Sequence, residues 1–178
     1  DPAGNTSAAS GNLSITVDTT SDAAPGTPDL AVGSDTGTST SDNITTDTTP
    51  TFTISCETNA TAALFDTLTS LGTGTCVAGT VTITASPAFV DGTYATIHAV
   101  QTDPTGNVSG AGSNFSITID TVSPGALGTA PDLSPGSDTL ASTTDDITDD
   151  RTPTVTGTCT TSDIITLYDG VTAVGSAT

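Results

Sequence analysis

Basic residues are almost absent. Arg151 stands alone against 20 acidic side chains, for a formal net charge of −19. A surface of that sign repels nucleic acid and anionic membranes, and it repels itself unless cations are present. Tryptophan and methionine are missing and only 3% of residues are aromatic, so a core has to be thin, built from Val, Leu and Ile with Phe52, Phe65 and Phe115. No stretch approaches the ~20 apolar residues of a membrane helix, so no direct membrane insertion is expected. The chain opens mid-pattern at Asp1 without a signal peptide, the expectation for a mature or cropped piece. Histidine occurs once, and TIHAV places His98 in a strand as a satisfied sandwich residue and not a general base. Asp pairs are plentiful, yet no apolar aromatic pocket accompanies them to raise one carboxyl, and the many Ser and Thr lack a base partner. No enzyme is expected.

What the chain does contain is a repeat. SDNITTDTTPT at residues 41 to 51 returns as TDDITDDRTPT at 144 to 154, with Pro50 and Pro153 offset by 103 positions. DPAGNTSAASGNLSITVDT (1 to 19) likewise matches DPTGNVSGAGSNFSITIDT (103 to 121). The chain therefore reads as the end of one repeat (1–22), one whole repeat (23–122) and the front of a third (123–178). A period near 100 residues fits an array of independent small domains and is too long for a solenoid turn.

So polar and acidic a composition could signal disorder, but FSITID (115 to 120) and TVTITAS (80 to 86) alternate apolar and polar residues, the pattern of half-buried strands. Strands are predicted at about 29–33, 51–57, 61–66, 68–71, 74–85, 93–101 and 113–120, punctuated by Gly, Pro, Asp and Asn. Seven short strands in about 100 residues predict an all-β fold, a Greek-key sandwich. Cys56 ends the second of these, and Cys76 is placed at the start of the strand expected beside it, within disulfide reach. Cys159 repeats Cys56 at the same offset of 103, so its partner is expected one residue beyond Thr178.

The ordered set PDL, SDTG, DNIT, TPT, DGTY and D-x-TGN-x-S with SITIDT resembles the bacterial Ig-like tandem repeats of large secreted surface adhesins and biofilm proteins. The similarity spans essentially the whole chain. It departs from the family in carrying Val81 where an aromatic usually opens the fifth strand, and in having cysteines. The resemblance implies tandem Ig-like sandwiches acting as rigid extracellular spacers, on a cell surface or secreted, often stiffened by Ca²⁺ at domain junctions. Partners would be neighbouring repeats or identical chains, with no nucleic acid. DGTY also resembles the start of a tyrosine corner, with Tyr94 bonding back to nearby backbone.

Physical chemistry gives the acids a matching role. The first strand leaves the N-terminal pole and the second returns to it, so Asp35, Asp42 and Asp47 fall at the C-terminal pole, where Asp120 ends the last strand. Hard oxygen ligands without His or Cys suit Ca²⁺, with Asn43 and carbonyls to complete six to eight positions. Asp132, Asp138, Asp145 and Asp150 offer the same set in the third repeat, with Asp146 and Asp149 beside them. Asp18 and Asp29 flank the connection into the whole repeat, and Asp103 with Asn107 lies at the opposite pole from the knot. Asp and Asn also shape turns without any metal. All six Asn residues stand in N-x-S/T, an acceptor pattern for glycans. A spacer is the leading expectation. The alternative is a self-assembling filament subunit whose end repeats are completed by neighbouring chains; the two fragments together lack 27 residues, those equivalent to 76–102, which favours a crop.

Overall fold

Alternation decides the architecture. In TVTIT, Val81 and Ile83 are buried between exposed threonines, and in TFTIS the same parity buries Phe52 and Ile54. A computed structural model, describing residues 1–140, 142–161 and 163–178, divides the chain into two compact units, Asp1–Thr121 and Val122–Thr178.

The first unit holds β1 (Asp29–Leu30), β2 (Ile44–Thr45), β3 (Thr51–Ser55), β4 (Thr61–Asp66), β5 (Thr69–Thr75), β6 (Thr80–Thr84), β7 (Gly92–Thr102) and β8 (Phe115–Ile119). Strands β1, β3 and β6 form one sheet, and the other runs β2-β8-β7-β4-β5. Between them lie Leu30, Phe52, Ile54, Leu64, Leu71, Val81, Ile83, Phe89, Ile97, Ile117 and Ile119, all buried. Phe115 is partly buried and meets Phe52 edge-on at 6.2 Å. The first unit is thus an all-β sandwich of a three-stranded and a five-stranded sheet.

Three expectations need correction. Phe65 is not a core residue: Ala62 and Leu64 point inward, so parity turns Phe65 out, where it stacks on His98 at 5.9 Å. The strands foreseen at 68–71 and 74–85 are instead Thr69–Thr75 and Thr80–Thr84, separated by a turn in which Ala78 and Gly79 take positive φ. Cys76 therefore closes β5 and does not open the strand beside β3, whose partner starts at Thr80. The acidic knot also hides a short strand, β2, paired parallel to β8.

The second unit holds β9 (Asp132–Leu133), β10 (Val155–Thr156), β11 (Ile165–Asp169) and β12 (Thr172–Ala177). It copies the first at a spacing of 103: Val155 pairs with Leu133 as Phe52 does with Leu30, and the bulge at Leu167/Tyr168 repeats that at Leu64/Phe65. Val155, Ile165 and Leu167 line an open groove with Val174, whereas their counterparts Phe52, Ala62 and Leu64 are fully buried.

Two glycines let β5 lie close to β6. A Cβ on Gly72, at φ +149°, would stand 2.8 Å from Ile83 Cγ2, and one on Gly74 would stand 2.6 Å from Val81 Cγ2. Gly72→Ala is expected to destabilise the first unit by about 1–3 kcal/mol through overpacking and a disfavoured φ. The check is the urea midpoint at constant m-value; an unmoved midpoint would mean that β6 yields.

Candidate functional site

The acidic residues segregate to the two poles, where their tasks differ. At the C-terminal pole, Ser34 and Asp35 turn the chain back with both amides donating to the Ala31 carbonyl. Buried Thr45 donates to the Ser34 carbonyl at 2.5 Å, and Ser34 Oγ donates to Asp47 Oδ2 at 2.9 Å. Asp47 Oδ1 accepts the Thr49 amide, and Asp42 Oδ1 the Ile44 amide. These two carboxylates thus shape loops. The knot is tied to β8 by amides of Thr118 and Asp120 donating to the Asn43 and Thr45 carbonyls.

Asp35 behaves otherwise. It is 3% exposed, its Oδ2 accepts only a long 3.4 Å bond from the Asn43 amide, and its Oδ1 is buried without a partner. The third repeat reproduces this: Asp138 is 3% exposed with an unpartnered Oδ1. Asp150 meanwhile takes the Asp47 part, accepting from Ser137 Oγ and the Thr152 amide. The Thr152 amide is the main influence holding the Asp150 carboxyl below its ordinary range. Asp145 Oδ1 accepts the Ile147 amide, and Asp132 is exposed in β9.

At the N-terminal pole Asp103 is saturated. Its Oδ1 accepts from the Thr105 amide and hydroxyl and the Asn107 amide, and its Oδ2 from Asn107 Nδ2, all at 2.8–2.9 Å. The Asn107 side-chain amide, ahead of a smaller opposing effect of burial, holds this carboxyl well below the usual carboxylate range. Asp1 and Asn5 make the same turn, with Asp1 accepting the Ala3 and Asn5 amides. Asp18 Oδ1 accepts the Thr20 amide, Asp29 is exposed in β1, and Asp22 Oδ2 is buried without a partner.

Among the described residues, no three His, Cys, Asp or Glu side chains come together closely enough to hold a metal ion. The expected acids are thus not gathered into one carboxylate cage. What the donor set does offer a hard cation is the orphaned carboxylate oxygen of Asp35, a hard oxygen donor of the kind Ca²⁺ accepts.

Two tethers complete the frame. Cys56 and Cys76 form a disulfide with Cα atoms 6.0 Å apart, joining the end of β3 in one sheet to the end of β5 in the other. The Tyr94 hydroxyl donates to the Val90 carbonyl at 3.1 Å and accepts its amide at 3.2 Å. Sequence reasoning overlooked Gln101, which is buried at an inward position of β7 after Ile97 and Ala99. Its signal was present: a polar residue on the apolar parity of a strand.

A three- and five-stranded sandwich whose polar clusters sit in inter-strand turns is an immunoglobulin-type module. The sequence matches the bacterial Ig-like domain over residues 22–121, more than half of the chain, and the chain belongs to that family. A comparison with curated proteins finds no match. The family is typically non-catalytic and points to a structural or adhesin-type role. Together with the disulfide it points to an extracellular or surface protein, and no helix among the described residues is long and apolar enough to cross a membrane.

Proposed function

We propose that the chain is a spacer segment of a bacterial surface adhesin or biofilm protein, its repeats stiffened by Ca²⁺ at their C-terminal poles. The observation that carries the metal is the buried, unpartnered oxygen of Asp35, recurring at Asp138. Burial of an uncompensated carboxylate is unfavourable, and a chain with a single basic residue has almost no side chain to neutralise it. A divalent cation does so with the oxygen ligands already in the loop. Asp42, Asp47 and Asp120 add negative potential at this pole, as Asp145 and Asp150 do in the third repeat.

Small-angle scattering of the chain in Ca²⁺ and in chelator tests this. Removing the cation leaves like charges crowded at each junction; the expected outcome is a shorter maximum dimension and a lower Tm. Identical curves and melts in both buffers would sink the reading.

One observation favours a second reading, the filament subunit. Leu13, Ile15 and Val17 are exposed, whereas Ile117 and Ile119, the counterparts of Ile15 and Val17, are 1% exposed. A neighbouring chain that buried them would make the scattering mass rise with concentration.

A further inference from the structure

We infer that the N-terminal pole of the complete repeat is a receiving surface for a preceding copy of the repeat: Asn107 holds the backbone carbonyl where that copy ends, and Gln101 anchors the complete repeat's own first segment at Ala23, so that the junction between them is held from both sides. This deepens the spacer reading and rests on it. Gln101 is 2% exposed and uses every polar atom it has. Its Nε2 donates to the Ala23 carbonyl at 2.8 Å and its Oε1 accepts the Glu57 amide at 2.8 Å. Its own amide donates to Ser109 Oγ, and its carbonyl accepts the Ser109 amide. The side chain thereby fixes the incoming segment to the β3–β4 turn, and the backbone of the same residue holds the β7–β8 connection. A buried primary amide is tolerable only when so fully bonded.

The segment after Ala23 is built into the domain as well. The Gly26 amide donates to the Ser55 carbonyl at 2.9 Å, and a Cβ on Gly112 would stand 2.7 Å from the Pro25 carbonyl oxygen. The second grip lies upstream. Asn107, oriented by both oxygens of Asp103, reaches the Asp18 carbonyl with Nδ2 at 3.3 Å. Asp18 is the counterpart of Asp120, the residue just past β8, so Asn107 touches the preceding repeat where its last strand ends. Only residues 19–22 separate the two grips.

Both grips fall on carbonyls and neither reads a side chain. The surface therefore fixes the distance and direction of a preceding copy without specifying its sequence, which lets repeats of differing composition follow one another. Both donors are neutral amides, so this hold is independent of the cation at the other pole.

Nitrogen-15 relaxation of the full 178-residue chain in chelator is the test. In the parent, Ala23, Ala24, Gly26 and Thr27 are expected to match the strands, with order parameters near ~0.85. Gln101→Glu keeps the acceptor for Glu57 but sets a carboxylate against the Ala23 carbonyl; order at 23–27 should drop below about 0.6 while β3–β8 are unchanged. Asn107→Ala should loosen residues 18–22 alone. Parent mobility at 18–27 already equal to that of the variants overturns the inference. Should Gln101→Glu not fold, unchanged order at 18–22 in Asn107→Ala overturns it by itself. A chain that bends in scattering although residues 18–27 stay ordered would defeat the spacer reading and leave the grip standing.

Discussion

Breaking the Cys56–Cys76 bridge should lower the stability of the complete repeat by about 3 kcal/mol, the largest single effect expected in it. The bond closes a separation of 20 residues, for which chain entropy lost from the unfolded state amounts to roughly 3 kcal/mol. Its position adds to that effect. It fastens the three-stranded sheet to the five-stranded one at their common end, where the core between them is thin and lacks Trp and Met. For a domain of this size the loss corresponds to a fall in Tm on the order of 10–20 °C. Urea unfolding of the oxidised and reduced chain measures it, with Cys56→Ala/Cys76→Ala as the chemical control. Equal midpoints would show that the sheets hold without the bridge. The third repeat extends the argument: Cys159 carries an exposed thiol at the place of Cys56. The β11–β12 register sets Thr178 where Thr75 stands, so the next residue falls in the place of Cys76. A cysteine is expected there.

The sandwich was legible because its signals are local and periodic: Val81 and Ile83 announce their own burial by alternating with threonine. The Cys56–Cys76 bridge was legible as well, although the strand adjacency expected to bring the two cysteines together is not the one the fold uses. Cys76 follows a strand of the opposite sheet, a fact that depended on the positive-φ turn at Ala78–Gly79, where Ala gave no sign of a break. Phe65 was misplaced because hydrophobicity outweighed parity, and a ring stacked on an imidazole is content at the surface. In the acidic knot the sequence could not rank its carboxylates. Asp35, Asp42 and Asp47 look alike in one dimension; only folding brings Ser34 and Thr49 onto Asp47 while leaving Asp35 Oδ1 sealed and alone. The burial of Gln101 was readable from its parity in the strand, but its partners were not, since Ala23 and Glu57 lie 78 and 44 residues away.

Asp35→Asn should change the sign of its effect with the ionic conditions. In chelator the parent buries a carboxylate oxygen that nothing compensates, and an amide of the same shape carries no charge to desolvate. The variant is then expected to be more stable by about 1–2 kcal/mol, since one unsatisfied neutral group is cheaper to bury than one charged one. Removing one charge from a chain at −19 acts in the same direction. In Ca²⁺ at about 100 times its Kd the parent gains about 2.7 kcal/mol by mass action, and the variant, deprived of the anionic ligand, gains little. The order of the two proteins therefore reverses on adding the cation. Loop strain or a general salt effect would move both proteins together and could not produce the crossing. Asp138→Asn supplies the internal control, because it should reproduce the crossing in the second unit and leave the unfolding of the first unchanged. Thermal melts of the three chains in both buffers decide it: a variant that is destabilised in chelator, or that keeps the full calcium increment, removes Asp35 from the metal site.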